Sequence, residues 1–222
     1  MTPFHQHLHS TAQSLSAFYM YELTEGDERY LTEFNKHHQD AQRALNNATD
    51  EQKSVFLSRW DKLTPFWKFE DIKNVGLNID LRVRLDLREY MTDAYLYSKK
   101  LPSNPNAIAS KLRDIKVLTS IMSARTMDVA SSHLGSQSLT KHDHQIQSKD
   151  LAAIVQASIT DLKKMKLAKA QISALKKVKT QFDFVESSLV NHNQVVPFFL
   201  VYRNIMRLSK LLDESSQQVA GY

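Results

Sequence analysis

Within the stretch LNIDLRVRLDLREYMTDAYLY, Arg84 and Arg88 stand one helical turn apart and share a face with Leu81, Thr92 and Tyr95. The apolar stripe from Val83 to Ala94 covers the neighbouring face, and Arg125 follows Met122 by three beside another apolar register. A guanidinium presents a planar fork of donors that matches a carboxylate or a phosphate. Placed next to apolar surface, it needs an anion to offset its desolvation. Arg84, Arg88, Tyr95 and Arg125 are therefore the candidate ligand-binding residues, and a small organic anion is the ligand they suit. Internal partners serve equally well on sequence grounds, with Asp86, Asp93 and Asp128 nearby in the pattern.

Other chemistry is less well provided for. Metal ligands on helices recur at i and i+3 or i+4 so that they share a face. His142, Asp143 and His144, and the pair His37 and His38, lack that spacing and read as solvated residues, so no metal is expected. Most carboxylates alternate with basic residues along helix surfaces, a pattern of solvated faces rather than of paired acids with shifted pKa values. No catalytic residue, enzyme activity or cofactor is expected. The densest basic run is Lys163, Lys164, Lys166, Lys169, Lys176, Lys177 and Lys179. A nucleic-acid stripe would interleave aromatic rings for base stacking, and this run has none, so a solvated helix face is expected and no nucleic-acid partner. The absence of cysteine excludes disulfides and thiol chemistry.

The elements that must position these residues are helices. Hydrophobic residues make up 42% of the chain, with only 4 Gly and 5 Pro among 222 residues, and no alternating run suggests a strand. The fold expected is all-α: residues 1–222 as a single elongated antiparallel helical bundle, or two stacked four-helix bundles. A first helix runs from His5 to Leu23, and Gly26 marks either a break with Asp27 as a new N-cap or a kink within one helix of about forty residues. Thr49 or Asp50 starts the next helix, which Pro65 ends. PFWKFEDIKNVG reads as a packed aromatic connection, and Trp60, Phe66, Trp67 and Phe69 read as core. Helices follow from Leu77 to Lys100 and from Ala107 to about His133, separated by the LPSNPN loop. GSQSLTKHDHQ reads as polar and mobile. Apolar positions from Leu151 to Leu189 then recur about every 3.5 residues, the period of a bundle seam. They predict one central helix of roughly 60 Å, with Ile172 and Phe182 in its core and Lys176 outside. After NHNQVVP, a final helix carries Phe198, Phe199, Tyr202, Ile205, Leu208 and Leu212.

The formal net charge of +5 is a mild excess spread over a large surface. No apolar run reaches the roughly 18 residues a membrane helix needs. The opening MTPFHQHLHS has neither the basic start nor the apolar run of a signal peptide.

YELTEGDERYLTEFNKHHQDAQRAL resembles the Y-x-L-T-G-D-x-x-Y-L-x-x-F passage of all-helical extracytoplasmic sensor domains in bacterial transmembrane receptors, including chemoreceptors and histidine kinases. The matching residues are Tyr21, Leu23, Thr24, Gly26, Asp27, Tyr30, Leu31 and Phe34, with Glu25 as an extra residue before the glycine. The pattern of long helices is also similar to the helical bimodular type of that family. The resemblance implies a small molecule bound between helices, a homodimer, a periplasmic location, and membrane helices in segments flanking these residues. An even number of helical passes would put both termini at one end, as such an insertion requires. The alternative expectation is a cytoplasmic helical adaptor that contacts a protein or nucleic acid through its polar loops and basic helix face.

Overall fold

The computed structural model describes residues 1–63, 79–102, 105–191 and 197–217. The expectations for Pro65, Phe66, Trp67, Phe69 and the helix start at Leu77 lie outside these residues, as do residues 103–104 of LPSNPN and 192–196 of NHNQVVP. Among the described residues there are eight α-helices, two 3₁₀ turns and no strand.

Helix α1 spans Pro3–Leu23, with Thr2 as N-cap accepting from the His5 amide at 3.3 Å. Its end explains the break in YELTEGD. The Gly26 amide donates to the Tyr21 carbonyl at 2.9 Å and the Glu25 amide to the Glu22 carbonyl at 3.1 Å, the paired bonds of a Schellman end. Glu25 (φ 54°) takes the left-handed position that glycine usually fills, and Gly26 (φ 95°) follows it. Asp27 then caps α2, Glu28–Asn46, by accepting from the Arg29 amide at 3.0 Å. A reciprocal capping box starts α3, Asp50–Leu63: Thr49 Oγ1 accepts from the Gln52 amide while Gln52 Oε1 accepts from the Thr49 amide. Asp80 caps α4, Leu81–Ser98, and Asn106 caps α5, Ala107–Ser131. Helices α6, Ser148–Lys164, α7, Lys169–Val190, and α8, Phe198–Gln217, follow.

The centre of the bundle is the pair α1 and α5. Of the 21 residues of α1, 17 are buried, and every residue of α5 from Ile115 to Val129 is buried. The two helices run parallel, as the contacts of His9 with Ser120 and of Ser16 with Ser123 require. Helix α8 runs antiparallel to both: Gln13 meets Met206 and Ser209, and Lys116 pairs with Asp213. The start of α1 and the end of α8 therefore lie at the same end of the bundle. Helices enclosed on all sides are usually apolar, yet α1 buries His5, His7, His9, Ser10, Thr11, Gln13, Ser14 and Ser16. Several hydroxyls satisfy themselves on their own helix: Ser16 donates to the Ala12 carbonyl, Thr119 to Ile115, Ser120 to Lys116 and Thr126 to Met122. Small self-bonded side chains let the helix backbones approach closely without stranding a donor.

The expected 60 Å seam is not one helix. It divides at Met165–Ala168, where Met165 (ψ 157°) and Ala168 (ψ 155°) are extended. The chain then reverses, so that Gln156 of α6 reaches Asp183 and Glu186 of α7. Folding back lets Leu175, Val178, Phe182, Val185 and Leu189 bury against the rest of the bundle. Ile172 lies in the first turn after the reversal and is 43% exposed, so it is not a core residue, whereas Phe182 is fully buried. The same turn divides the lysine run. Lys163 and Lys164 end α6, while Lys169, Lys176, Lys177 and Lys179 belong to α7, so the run forms no continuous stripe.

Candidate functional site

Arg84, Arg88 and Arg125 come together, at the end of the bundle where α1, α4 and α5 meet the connection between α5 and α6. Arg84 spends all three nitrogens on internal acceptors. Nε donates to the Ile79 carbonyl, Nη1 to Asp128 Oδ1 at 2.8 Å and to Ser131 Oγ at 2.9 Å, and Nη2 to Glu22. Arg88 donates through Nε to Asp128 Oδ2 and through its two terminal nitrogens to the carbonyl and hydroxyl of Ser138, each at 2.9 Å. Asp143 stands 3.8 Å from Arg88. Arg125 donates to the Ile146 carbonyl.

The cluster thus sets three cations against three buried carboxylates, Glu22, Asp128 and Asp143, with no ion-paired side chain more than 7% exposed. Burial works against the charge on Arg84 and Arg88, yet the neighbouring Asp128, with Tyr19 and Glu22 at Arg84, raises both above the ordinary arginine value. For Arg125 burial prevails and its pKa falls. Burial, followed by the Asp128 charge, pushes the Tyr19 hydroxyl well up, and its ring lies 5.1 Å from the Arg84 guanidinium carbon. Of the candidate partners named from sequence, Asp128 is the one between the two forks. Asp93 instead meets Arg59 on α3 at 2.9 Å.

The segment GSQSLTKHDHQ, expected to be mobile, forms two 3₁₀ turns, Gly135–Ser138 and Asp143–Gln145, of a strap between α5 and α6 in which Ser138, Asp143 and Ile146 are buried. Asp143, expected to be solvated, is buried and accepts from the amide (2.7 Å) and hydroxyl (2.9 Å) of Thr140. His142 is half-buried beside Asp93, 3.3 Å away. Among the described residues no three His, Asp or Glu side chains are grouped to hold a metal ion.

Tyr95 is not part of this cluster. Two turns further along α4, it lines a separate cavity of about 300 Å³ with His5, Lys99, Arg113 and Asp114. Burial, then the Asp114 charge, pushes its hydroxyl up to about 12. Burial, with Arg113 and the chain's amino terminus nearby, pulls His5 down to about 4. Arg113 is already bidentate on Asp114 Oδ1, at 2.7 and 2.9 Å.

Unengaged cations lie elsewhere, in a groove of about 360 Å³ between α2 and α8. Its α8 wall carries Phe199, Arg203, Met206, Arg207 and Lys210, and its α2 wall carries Arg29, Tyr30 and Glu33. Arg203, Arg207 and Lys210 are exposed, and none forms an ion pair among the described residues. Arg29 is held by Asp27 at 2.6 Å, and Glu33 accepts from the Tyr202 hydroxyl. The Tyr30 and Tyr202 rings meet edge to face at 5.3 Å between the walls. In sequence these residues form F-x₃-R-x₃-R-x₂-K within FFLVYRNIMRLSK, a helical spacing that puts the ring and all three cations on one face. The apolar register Phe198, Tyr202, Ile205, Leu208 defines the buried side of the same helix, and the face beside it reads as an ordinary polar surface until α2 is placed against it.

In comparisons with protein-family models, curated proteins and solved structures, the chain matches none.

Proposed function

We propose that this chain is a ligand-binding helical module of a signalling receptor, and that it takes a small anionic molecule in the groove between α2 and α8. The observation that carries the reading is the row of Arg203, Arg207 and Lys210, three exposed cations on one wall of a groove with no ion pair among the described residues. Every guanidinium nitrogen of Arg84 and Arg88 already donates to an internal acceptor, on Ile79, Glu22, Asp128, Ser131 or Ser138. The groove volume of about 360 Å³ falls within the range of small-molecule sites. Tyr30, one of the residues shared with the sensor-domain passage, lines the groove. The passage therefore supplies both the turn that starts α2 and part of the site wall.

The receptor context rests on the resemblance and on the shared end of α1 and α8, which suits insertion between two membrane segments. No helix among the described residues is long and apolar enough to cross a membrane itself. In this reading the module lies outside the cytoplasm, pairs with a second copy, and passes a small displacement of α8 to a flanking membrane helix.

Calorimetry against citrate, succinate and pyrophosphate tests the binding site. The expected result is an anion whose affinity falls about tenfold or more in Arg207→Ala, the loss of one charge-assisted contact. Anion binding that survives Arg207→Ala but vanishes in a folded Arg125→Gln variant would return the site to the buried cluster and overturn the reading.

A further inference from the structure

The α2/α8 groove joins two kinds of surface, and the inference rests on its being the anion site proposed above. One is the ladder Arg203, Arg207, Lys210, which rises about 6 Å and then about 4.5 Å along a single helix face at 1.5 Å per residue. A lone carboxylate fills one guanidinium fork and leaves the rest of this ladder idle, so the length of the row calls for more than one anionic group. The other surface is aromatic. Phe199 lies one turn before Arg203 and is 45% exposed, and Tyr30 and Tyr202 close the space between the helices. An exposed ring in line with unpaired cations offers a flat ligand face apolar area and a stacking partner. Among the described residues Glu33 is the one carboxylate lining the groove, and it is engaged by the Tyr202 hydroxyl.

We propose that the groove binds a nucleoside phosphate, with the base against Phe199 and two phosphates along Arg203, Arg207 and Lys210. Guanidinium forks match phosphate oxygens in pairs, and Lys210 adds a point charge at the far end of the row. Base stacking on an aromatic side chain tolerates any base, so the site selects the class rather than one member. At about 360 Å³ the groove has room for a single nucleotide.

The test is calorimetry with three probes: adenosine diphosphate, inorganic pyrophosphate and adenosine. The diphosphate nucleotide is expected to bind about tenfold tighter than pyrophosphate, with adenosine weakest. Phe199→Ala should weaken the nucleotide about tenfold and leave pyrophosphate unchanged, whereas Arg207→Ala should weaken both. Both side chains are exposed, so neither substitution removes core packing, and equal melting temperatures would verify that. Equal binding of nucleotide and pyrophosphate, or a nucleotide affinity unaffected by Phe199→Ala, overturns the nucleoside assignment while the anion site stands. Citrate binding that depends on Arg207, without nucleotide binding, does the same. If none of these anions binds, both the assignment and the anion site fall.

Discussion

Replacing Asp128 with alanine removes the carboxylate shared by two buried guanidinium groups. In the folded protein Asp128 accepts from Arg84 at 2.8 Å through one oxygen and from Arg88 through the other, and all three side chains are no more than 5% exposed. The variant keeps three cations, Arg84, Arg88 and Arg125, against two anions, Glu22 and Asp143. Breaking a buried pair by removing one partner costs about 3–5 kcal/mol, because the remaining charge stays desolvated. For a chain of this size 1 kcal/mol corresponds to about 2–4 °C in melting temperature, so Asp128→Ala should melt about 6–20 °C lower. Asp128→Asn keeps the shape and one oxygen acceptor and should lose less. Asp40→Ala, which breaks the exposed pair with Arg43, should change stability by no more than about 0.5 kcal/mol. Melts followed by circular dichroism, with urea titrations to verify an unchanged m value, provide the comparison. If Asp128→Ala and Asp40→Ala melt within 2 °C of each other, the cluster does not hold α4, α5 and the strap together as described.

Three further outcomes are expected. Glu25→Gly should stabilise the protein by about 1 kcal/mol, since glycine takes the left-handed φ at the end of α1 without the Cβ clash, and a lower urea midpoint would contradict the Schellman geometry. Phe182→Ala should cost about 3–5 kcal/mol and Ile172→Ala no more than about 0.5 kcal/mol, which urea titration reads directly; equal costs would restore the uninterrupted seam. His7 donates from Nδ1 to the Ala41 carbonyl at 2.9 Å and accepts at Nε2 from the Tyr90 hydroxyl at 2.7 Å, so the folded protein holds it neutral. Burial pulls its pKa from 6.5 to about 4, the unfolded chain therefore binds more protons between those values, and stability should fall as pH drops through that window, by about 3 kcal/mol for His7 alone. His5, His9 and His37, which burial also lowers, add to the loss in the same direction. His7→Gln should reduce the slope near pH 5 by about 1 kcal/mol per pH unit, and an unchanged slope would show that His7 does not titrate on unfolding.

The helices were legible where sequence chemistry is local. Asp27 and Thr49 mark starts that the structure keeps, because a cap depends on residues two or three positions away. The centre of the bundle was not legible. Burial of α1 rests on hydroxyls that bond back to their own helix, and these read as polar surface in a count of apolar residues. The reversal at Met165–Ala168 carries neither glycine nor proline, and the apolar register happens to continue across it. At the candidate sites the sequence picked out Arg84, Arg88 and Arg125 as charges needing partners, and it included Asp128 among those partners. It could not show Glu22 arriving from α1 or Ser138 and Asp143 from the strap, since those contacts span 50 or more residues along the chain. The groove was missed for a related reason: Arg203 and Arg207 gain meaning only when Tyr30 and Glu33 of α2 stand opposite.

Methionine methyl groups offer the most direct test of the groove as the binding site. Met206 lines the groove, whereas Met122 and Met127 are fully buried in α5, the helix that carries Arg125 and Asp128. With ¹³C-methyl-labelled methionine, titration with pyrophosphate and, separately, citrate should shift the Met206 resonance progressively while Met122 and Met127 stay in place. Arg207→Ala should move the midpoint of the Met206 titration about tenfold or more higher in ligand concentration. A saturable shift at Met122 or Met127 with Met206 unmoved would place the ligand at the buried arginines and contradict the account.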